Sequence, residues 1–151
     1  MHYSHLEDYI HHLYKSIKVS SPSQLNIITI ADRLGIKVSY GNVAFRFNDE
    51  IILRKGTQEQ KWQEFGHEVC HYLRHSGNQL LMHPLFFELQ EYQANYFSYH
   101  FCIPTFMLVQ QKNWHALSIA RTFKVTEPFA SRRLEMYQQN HLYGPSHLKN
   151  K

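Results

Sequence analysis

Five residues in the middle of the chain, His67-Glu68-Val69-Cys70-His71, limit both its fold and its chemistry. They have the form H-E-x-x-H. On an α-helix of about 3.6 residues per turn, positions i and i+4 lie on the same face. Two imidazoles on that face can bind one Zn²⁺, and the intervening carboxylate can reach a water molecule on the metal. The motif therefore predicts a zinc site for amide hydrolysis, with His67 and His71 as ligands and Glu68 as the general base.

The sequence around the motif has the pattern of an amphipathic helix. From Gln58 to Arg74 there is no proline and a single glycine, and the apolar residues recur at intervals of three and four. Gly56-Thr57 provides a break and an N-cap before this stretch, and Ser76-Gly77-Asn78 predicts where it ends. The motif is thus expected on the element that its i, i+4 geometry requires.

The rest of the chain predicts a mainly helical α+β domain. Further helices are expected at about 3–18, Ile27–Leu34, 84–101, Ala116–Phe123 and about Glu127–Gln139. Three β-type runs are separated by two residues each, Gly41-Asn42 and Asn48-Asp49, which is typical of hairpins. The runs are Ile36–Tyr40, Val43–Phe47 and Glu50–Arg54. We therefore predict a small three-stranded antiparallel sheet beside the motif helix.

Length and composition predict one domain spanning residues 1–151, with 43% hydrophobic residues and enough chain for its own core. N-terminal helices and the sheet are expected over 3–54, and the metal-binding helices over 57–104. C-terminal helices are expected over 105–140, followed by a polar tail over 141–151. The sequence does not predict an oligomeric state.

Charge and cysteine content limit the partners and the cellular compartment expected for the protein. The formal net charge of +4 is spread along the chain, which permits nucleic-acid contact without requiring it. The two cysteines, Cys70 and Cys102, imply no disulfide framework. The N-terminus lacks the pattern of a signal peptide, and no apolar stretch is long enough to cross a membrane. We therefore expect a cytoplasmic protein with no membrane partner.

A catalytic zinc site needs a third protein ligand and an open position for water. In the metzincin pattern a glycine lies three residues after His71 and a histidine three residues further on. This chain has Arg74 and Gly77 at those positions, so it does not follow that pattern. The third ligand must come from elsewhere in the chain.

Three residues remain as candidates for the third ligand. Glu88 and Glu91 lie three residues apart on the predicted 84–101 helix. His75 lies four residues after His71, but the helix carries it a full turn along its axis, so it is expected near the site and not as a ligand. Spacing alone leaves the choice between the two glutamates open.

Three stretches have the pattern of a known family. Residues 65–75 contain the motif helix with a trailing histidine; Glu91–Ser98 reads E-Y-Q-A-N-Y-F-S and is followed by Pro104; and Ala31–Val38 reads A-D-R-L-G-I-K-V. The last two are similar to E-x-x-A-N-x-F-A and A-x-x-L-G-I-x-V of the ImmA/IrrE-type metallo-endopeptidases. The resemblance extends over roughly residues 25–137.

This resemblance implies a gluzincin-like zinc endopeptidase in which Glu91 is the third ligand. It further implies a cytoplasmic anti-repressor protease whose protein substrate is a helix-turn-helix repressor of a phage or other mobile element. Asn95, one turn after Glu91, is expected to orient a metal ligand by hydrogen bonding to it. Cys70 stands where the family has glycine; we expect it to pack in the core or, alternatively, to perturb the site or respond to oxidation.

The expected reaction uses zinc to lower the pKa of a water molecule and to polarise the scissile carbonyl, while Glu68 transfers the proton to the leaving amine. The substrate is expected to bind as an added strand along the sheet edge. Val43, Ala44 and Phe45 in the second run, or alternatively Glu50–Arg54, are the candidates for this strand.

Other functions are compatible with the same residues. Ala116–Tyr137 has the helix-turn-helix shape of a DNA-binding module, with Arg132-Arg133 on its second helix. The zinc site could also belong to a protein that sequesters a repressor without cleaving it, or to a regulator of a toxin or stress protein. Six further histidines are expected on solvated faces or in the core, namely His2, His5, His11, His12, His83 and His100.

Overall fold

A computed structural model describes residues 3–42, 45–47, 50–74 and 83–142. Within these ranges the chain is mainly helical, as predicted. The helices are α1 (His5–Ser16), α2 (Ile27–Leu34), α3 (Gln58–Arg74), α4 (Pro84–Cys102), α5 (Thr105–Leu108), α6 (Ala116–Phe123) and α7 (Glu127–Tyr137). A 3-10 turn lies at Pro22–Gln24 and a π-helical turn at Gln138–Leu142. The strands are β1 (Lys37–Gly41), β2 (Phe45–Phe47) and β3 (Glu50–Arg54). No helix in the described ranges has the length and apolar character needed to span a bilayer.

Local capping explains where the predicted helices begin and end. The Thr57 hydroxyl accepts a hydrogen bond from the Gln60 backbone N–H at 3.1 Å, which confirms the predicted N-cap of α3. The Gln60 side chain accepts in return from the Thr57 N–H at 3.1 Å. Gly35 ends α2 in the left-handed conformation, with φ 71°, where glycine has no Cβ penalty. The predicted stop of α3 at Ser76-Gly77-Asn78 lies outside the described residues.

The sheet differs from the predicted antiparallel arrangement. Its order is β1-β3-β2, with β1 and β3 paired in parallel from Lys37↔Glu50 to Gly41↔Arg54. Only β2 pairs antiparallel to β3. The prediction of a three-stranded antiparallel sheet is therefore wrong. The predicted hairpins would place the second strand at the centre of the sheet, whereas the third strand, β3, lies between β1 and β2.

Burial explains why β3 takes the central position. Ile51 and Leu53 of β3 are fully buried, whereas β1 has no fully buried residue. Pairing β3 on both sides satisfies the hydrogen-bonding groups of the most buried strand. The four Cα steps from Gly41 to Phe45 can reach across two strand spacings, which total about 10 Å. Glu50–Arg54 consequently has neighbours on both sides and is not a sheet edge.

The two long helices, α3 and α4, form the centre of the core. Trp62 and Phe65 on α3 are buried against Phe101 on α4, with ring centroids 5.6 and 6.1 Å apart. Helix α1 packs on α4, where the Tyr14 hydroxyl donates to the Phe101 carbonyl at 2.7 Å. The sheet is joined to α3 by Arg54, whose Nε and backbone N–H both donate to the Glu64 carboxylate. This packing holds the motif helix between the sheet and α4.

A buried polar cluster joins the two ends of the described chain. The carboxylate of Glu7 on α1 accepts from the Thr105 hydroxyl and from His141 Nε2, the latter at 2.8 Å. The Thr105 hydroxyl accepts in turn from Nη2 of the fully buried Arg133 at 2.8 Å. Burial raises the pKa of Glu7, but hydrogen bonds from Ser4, Thr105 and His141 outweigh it and lower the pKa to about 2.

Replacing Glu7 with Gln should therefore remove a pH-dependent part of the stability. A carboxyl whose pKa falls from 4.5 to about 2 on folding stabilises the folded state above pH 4.5. That contribution is lost as the pH falls toward 2. Denaturant unfolding should show a wild-type advantage at neutral pH that shrinks between these two values. Asp8→Asn on the exposed side of α1 is the control, and an advantage independent of pH would contradict the role of the Glu7 carboxylate.

Candidate metal centre

The two motif histidines lie side by side on α3, as their spacing predicts. Their ring centroids are 5.0 Å apart, and the two Nε2 atoms are separated by 3.2 Å. The His71 side chain is almost completely buried, whereas 17% of the His67 side chain is exposed. One side of this pair is therefore enclosed by the core and the other is open to solvent.

Helix α4 brings Glu91 to the same point. Its Oε2 lies 2.9 Å from His67 Nε2, and its Oε1 lies 3.0 Å from His71 Nε2. One candidate ligand atom from each of these residues lies within 4.8 Å of the others. Among the residues that the structure describes, this is the single group of three or more potential metal ligands. Glu88 is exposed and does not join it.

Asn95 contacts the ring of His67 on the side away from Glu91. His67 Nδ1 and Asn95 Oδ1 are 2.8 Å apart, and an amide oxygen can only accept. Nδ1 therefore carries a proton, so that in the neutral ring the lone pair is on Nε2, the nitrogen that faces the carboxylate. A histidine that binds a metal through one nitrogen commonly donates from the other in this way.

The donor set and its spacing fit a divalent metal ion. The lone pairs of neutral imidazole nitrogens and carboxylate oxygens repel one another unless a cation or a proton lies between them. Tetrahedral zinc with ligand bonds of about 2.1 Å holds its ligands about 3.4 Å apart. The observed separations of 2.9–3.2 Å are slightly shorter. Small shifts of the three side chains would accommodate an ion of this size.

The other predicted site residues have different surroundings. Glu68 lies next to His67 on α3 and is 7% exposed, so its carboxyl group is largely shielded from bulk water. Phe45 lies on β2, an outer strand of the described sheet. His75, Val43 and Ala44 lie outside the described residues.

Cys70 is buried in the core, with 1% of its surface exposed. Burial raises the pKa of its thiol to about 12, and the negative charge of Glu91 adds to this, whereas Arg74 opposes it. The side chain is thus a neutral thiol at physiological pH. Cys70 is part of the hydrophobic core cluster, as expected, and is not in the group of potential metal ligands.

The remaining described histidines do not join the centre. His100 is buried and donates from Nδ1 to the Tyr96 carbonyl at 3.0 Å. Burial lowers its pKa to about 3, so its ring is neutral. His83 caps α4 by accepting from the Leu85 N–H, and His11 stacks on Phe106 at 4.3 Å. His5 and His12 are exposed on α1, and His2 lies outside the described residues.

Contacts between α3 and α4 next to the centre were not predicted. The Ser98 hydroxyl donates to the Gln63 carbonyl at 2.7 Å, and Gly66 faces the same hydroxyl. One signal for them was present in the sequence, since Gly66 is the single glycine within the motif helix. Its partner on α4 could not be identified without the packing.

The geometry defines a His-His-Glu centre on two packed helices, and comparison with known proteins identifies the family. A model described as the IrrE N-terminal-like domain, peptidase family M78, matches residues 31–135, and the chain belongs to this family. The predicted resemblance to ImmA/IrrE-type proteins is thereby confirmed. Membership of a peptidase family implies peptidase activity on a protein substrate.

Two relatives from Bacillus subtilis (strain 168) are similar over most of the chain. The phage-like element PBSX protein XkdA is 42% identical over 147 residues, which cover 90% of this chain and 74% of that protein. The uncharacterized protein YqaB is 39% identical over 156 residues, covering 93% of this chain and 90% of the relative. No solved structure matches the chain significantly.

Proposed function

We propose that this protein is a zinc-dependent endopeptidase that cleaves a helix-turn-helix repressor and so relieves repression of a phage or mobile element. The convergence of His67, His71 and Glu91 at 2.9–3.2 Å is the observation that carries the zinc assignment. Two imidazoles and one carboxylate form a ligand set found in catalytic zinc sites of peptidases. The similarity to a protein of a phage-like element supports the proposed setting in a phage or mobile element.

Each residue of the centre has a role that follows from its position. Zinc, when bound, supplies a Lewis acid that makes water more acidic and polarises a carbonyl group. His67 and His71 would hold it through Nε2 and Glu91 through a carboxylate oxygen. Asn95 keeps His67 in the tautomer that leaves Nε2 free. Glu68 would take the proton from the attacking water and deliver it to the leaving amine.

The outer edge of β2 is the proposed position of the substrate strand. β2 pairs with β3 on one side and has no described strand on the other. An unpaired edge offers backbone donors and acceptors to an extended peptide. We therefore assign substrate binding to the segment containing Val43, Ala44 and Phe45. Strands β2 and β3 both pack against α3, the helix that carries His67 and His71.

The structure weakens the alternative of DNA binding through Arg132-Arg133. Arg133 is fully buried, and its Nε donates to the Ile103 carbonyl at 3.0 Å. Arg132 pairs with Glu135 at 2.9 Å. A phosphate-binding surface needs exposed guanidinium groups. Arg133 therefore stabilises the fold and is not available to contact DNA.

The decisive experiment is incubation of the protein with a helix-turn-helix repressor from the same phage or mobile element, followed by mass spectrometry. We expect two fragments whose masses add up to that of the repressor plus one water molecule. A chelator should stop the cleavage and Zn²⁺ should restore it. An intact repressor in a stable complex would favour sequestration, and cleavage that is unaffected by metal removal would contradict the zinc mechanism.

A further inference from the structure

Helices α3 and α4 contact each other through a series of residue pairs that continues from the metal centre into the core. Glu91 lies against His67 and His71, and Asn95 lies against His67. Further along α4, Ser98 contacts Gln63, and the Cys102 thiol donates to the Trp62 carbonyl at 3.6 Å. As α4 advances, its partners move back along α3. The helices are therefore antiparallel, and one axial register sets all of these pairs at once.

Gly66 allows the close approach of the two helices at the residue before the first ligand. A Cβ at this position would lie 2.9 Å from Ser98 Oγ, 3.1 Å from Cys102 Sγ and 3.2 Å from Phe101 Cδ1. Contacts this short are not tolerated without movement of the neighbours. All three neighbours are side-chain atoms of buried residues on α4, so an added methyl group would press on that helix through its side chains.

Ser98 fixes the register through a hydrogen bond. Its hydroxyl donates at 2.7 Å to the backbone carbonyl of Gln63, which lies one helical turn before His67. The Gln63 side chain accepts from the Thr126 N–H at 2.8 Å, which connects the same position to the start of α7. Ser98 is 4% exposed, so this hydrogen bond is shielded from competing water.

We propose that Gly66 and Ser98 are positioning residues that set the α3–α4 register and thereby the separation of His67 and His71 from Glu91. The inference rests on the proposed function, because it assigns a purpose to the register of a metal site. Ligand positions must match the metal to within about 0.2 Å. A displacement of α4 larger than the three side chains can absorb would therefore weaken metal binding without removing a ligand.

The test measures metal binding in Gly66→Ala, in Ser98→Ala and in the double variant. We expect Gly66→Ala to weaken binding of Zn²⁺ and Co²⁺ by about tenfold or more, as changes that misorient ligands do. The absorption bands of bound Co²⁺ should shift, because they report ligand geometry. The double variant should recover part of the affinity, since removing Ser98 Oγ eliminates the shortest contact of the new methyl group.

Ile119→Ala is the matched control for a general loss of stability. Ile119 is buried in α6, which packs on α7 and carries no candidate ligand. The Ile119→Ala substitution should lower the unfolding free energy of the apoprotein and leave the Co²⁺ spectrum unchanged. An unchanged spectrum and affinity in folded Gly66→Ala, or an equal change in Ile119→Ala, would overturn the proposal.

Ser98→Ala carries the test if Gly66→Ala does not fold. It removes one hydrogen bond and adds no bulk, so it should fold and bind metal about two- to tenfold more weakly, with a shifted Co²⁺ spectrum. If this variant has the metal affinity and the Co²⁺ spectrum of the wild type, the inference is overturned but the proposed function is not. Failure of the wild-type protein to bind either metal would instead contradict the proposed function.

Discussion

Glu68→Gln should retain the metal and the fold but lose cleavage of the repressor by a factor of about 100 to 10,000. Glutamine has nearly the same shape as glutamate but cannot accept the proton of the attacking water. The side chain is 7% exposed, so bulk water has little access to take over proton transfer. The measurements are the rate of fragment formation and, on the same preparation, the zinc content.

Glu59→Gln provides a control on the same helix. Glu59 lies in the first turn of α3 and is not part of the metal centre. Its replacement should leave the cleavage rate within about twofold of wild type, because Glu59 lies more than two helical turns before His67 and keeps a side chain of nearly the same shape. Undiminished cleavage by Glu68→Gln would show that another group acts as the base, whereas loss of zinc would show that Glu68 supports the metal.

Glu91→Ala should weaken zinc binding by at least about 100-fold and abolish cleavage at micromolar zinc. Glu91 is the residue of α4 that contacts both histidines, at 2.9 and 3.0 Å. Its removal leaves two neutral imidazoles, which attract a divalent cation less strongly because the negative charge of the site is lost. Competition with a chelating indicator gives the affinity directly, without dependence on the protein substrate.

Glu88→Ala is the comparison that separates a ligand from a nearby charge. Glu88 lies one turn earlier on α4, is exposed and does not join the centre. Its loss should leave both zinc affinity and cleavage close to wild type. Equal weakening in the two variants would mean that overall charge near α4, and not coordination by Glu91, attracts the ion. Normal zinc binding by Glu91→Ala would remove it from the ligand set.

Periodicity predicted most of the helices because their causes are local. An apolar stripe, the Thr57 cap of α3 and the Gly35 stop of α2 act within a few residues, so α3 begins and α2 ends where the pattern places them. The strand segments were also located, with Glu50–Arg54 matching β3. The pairing of the strands was predicted wrongly. Hairpin signals indicate which strands are neighbours along the chain, but they do not indicate which strand is buried at the centre of the sheet.

The H-E-x-x-H spacing by itself determined that two imidazoles share one helix face, since helix geometry requires it. Only the tertiary structure decided between Glu88 and Glu91 on geometric grounds, by bringing the second of them to both rings. The same holds for the contact of Asn95 with His67 and of Ser98 with Gly66. Each depends on the axial register of α3 and α4. That register follows from close packing between residues distant in the chain, which no local pattern contains.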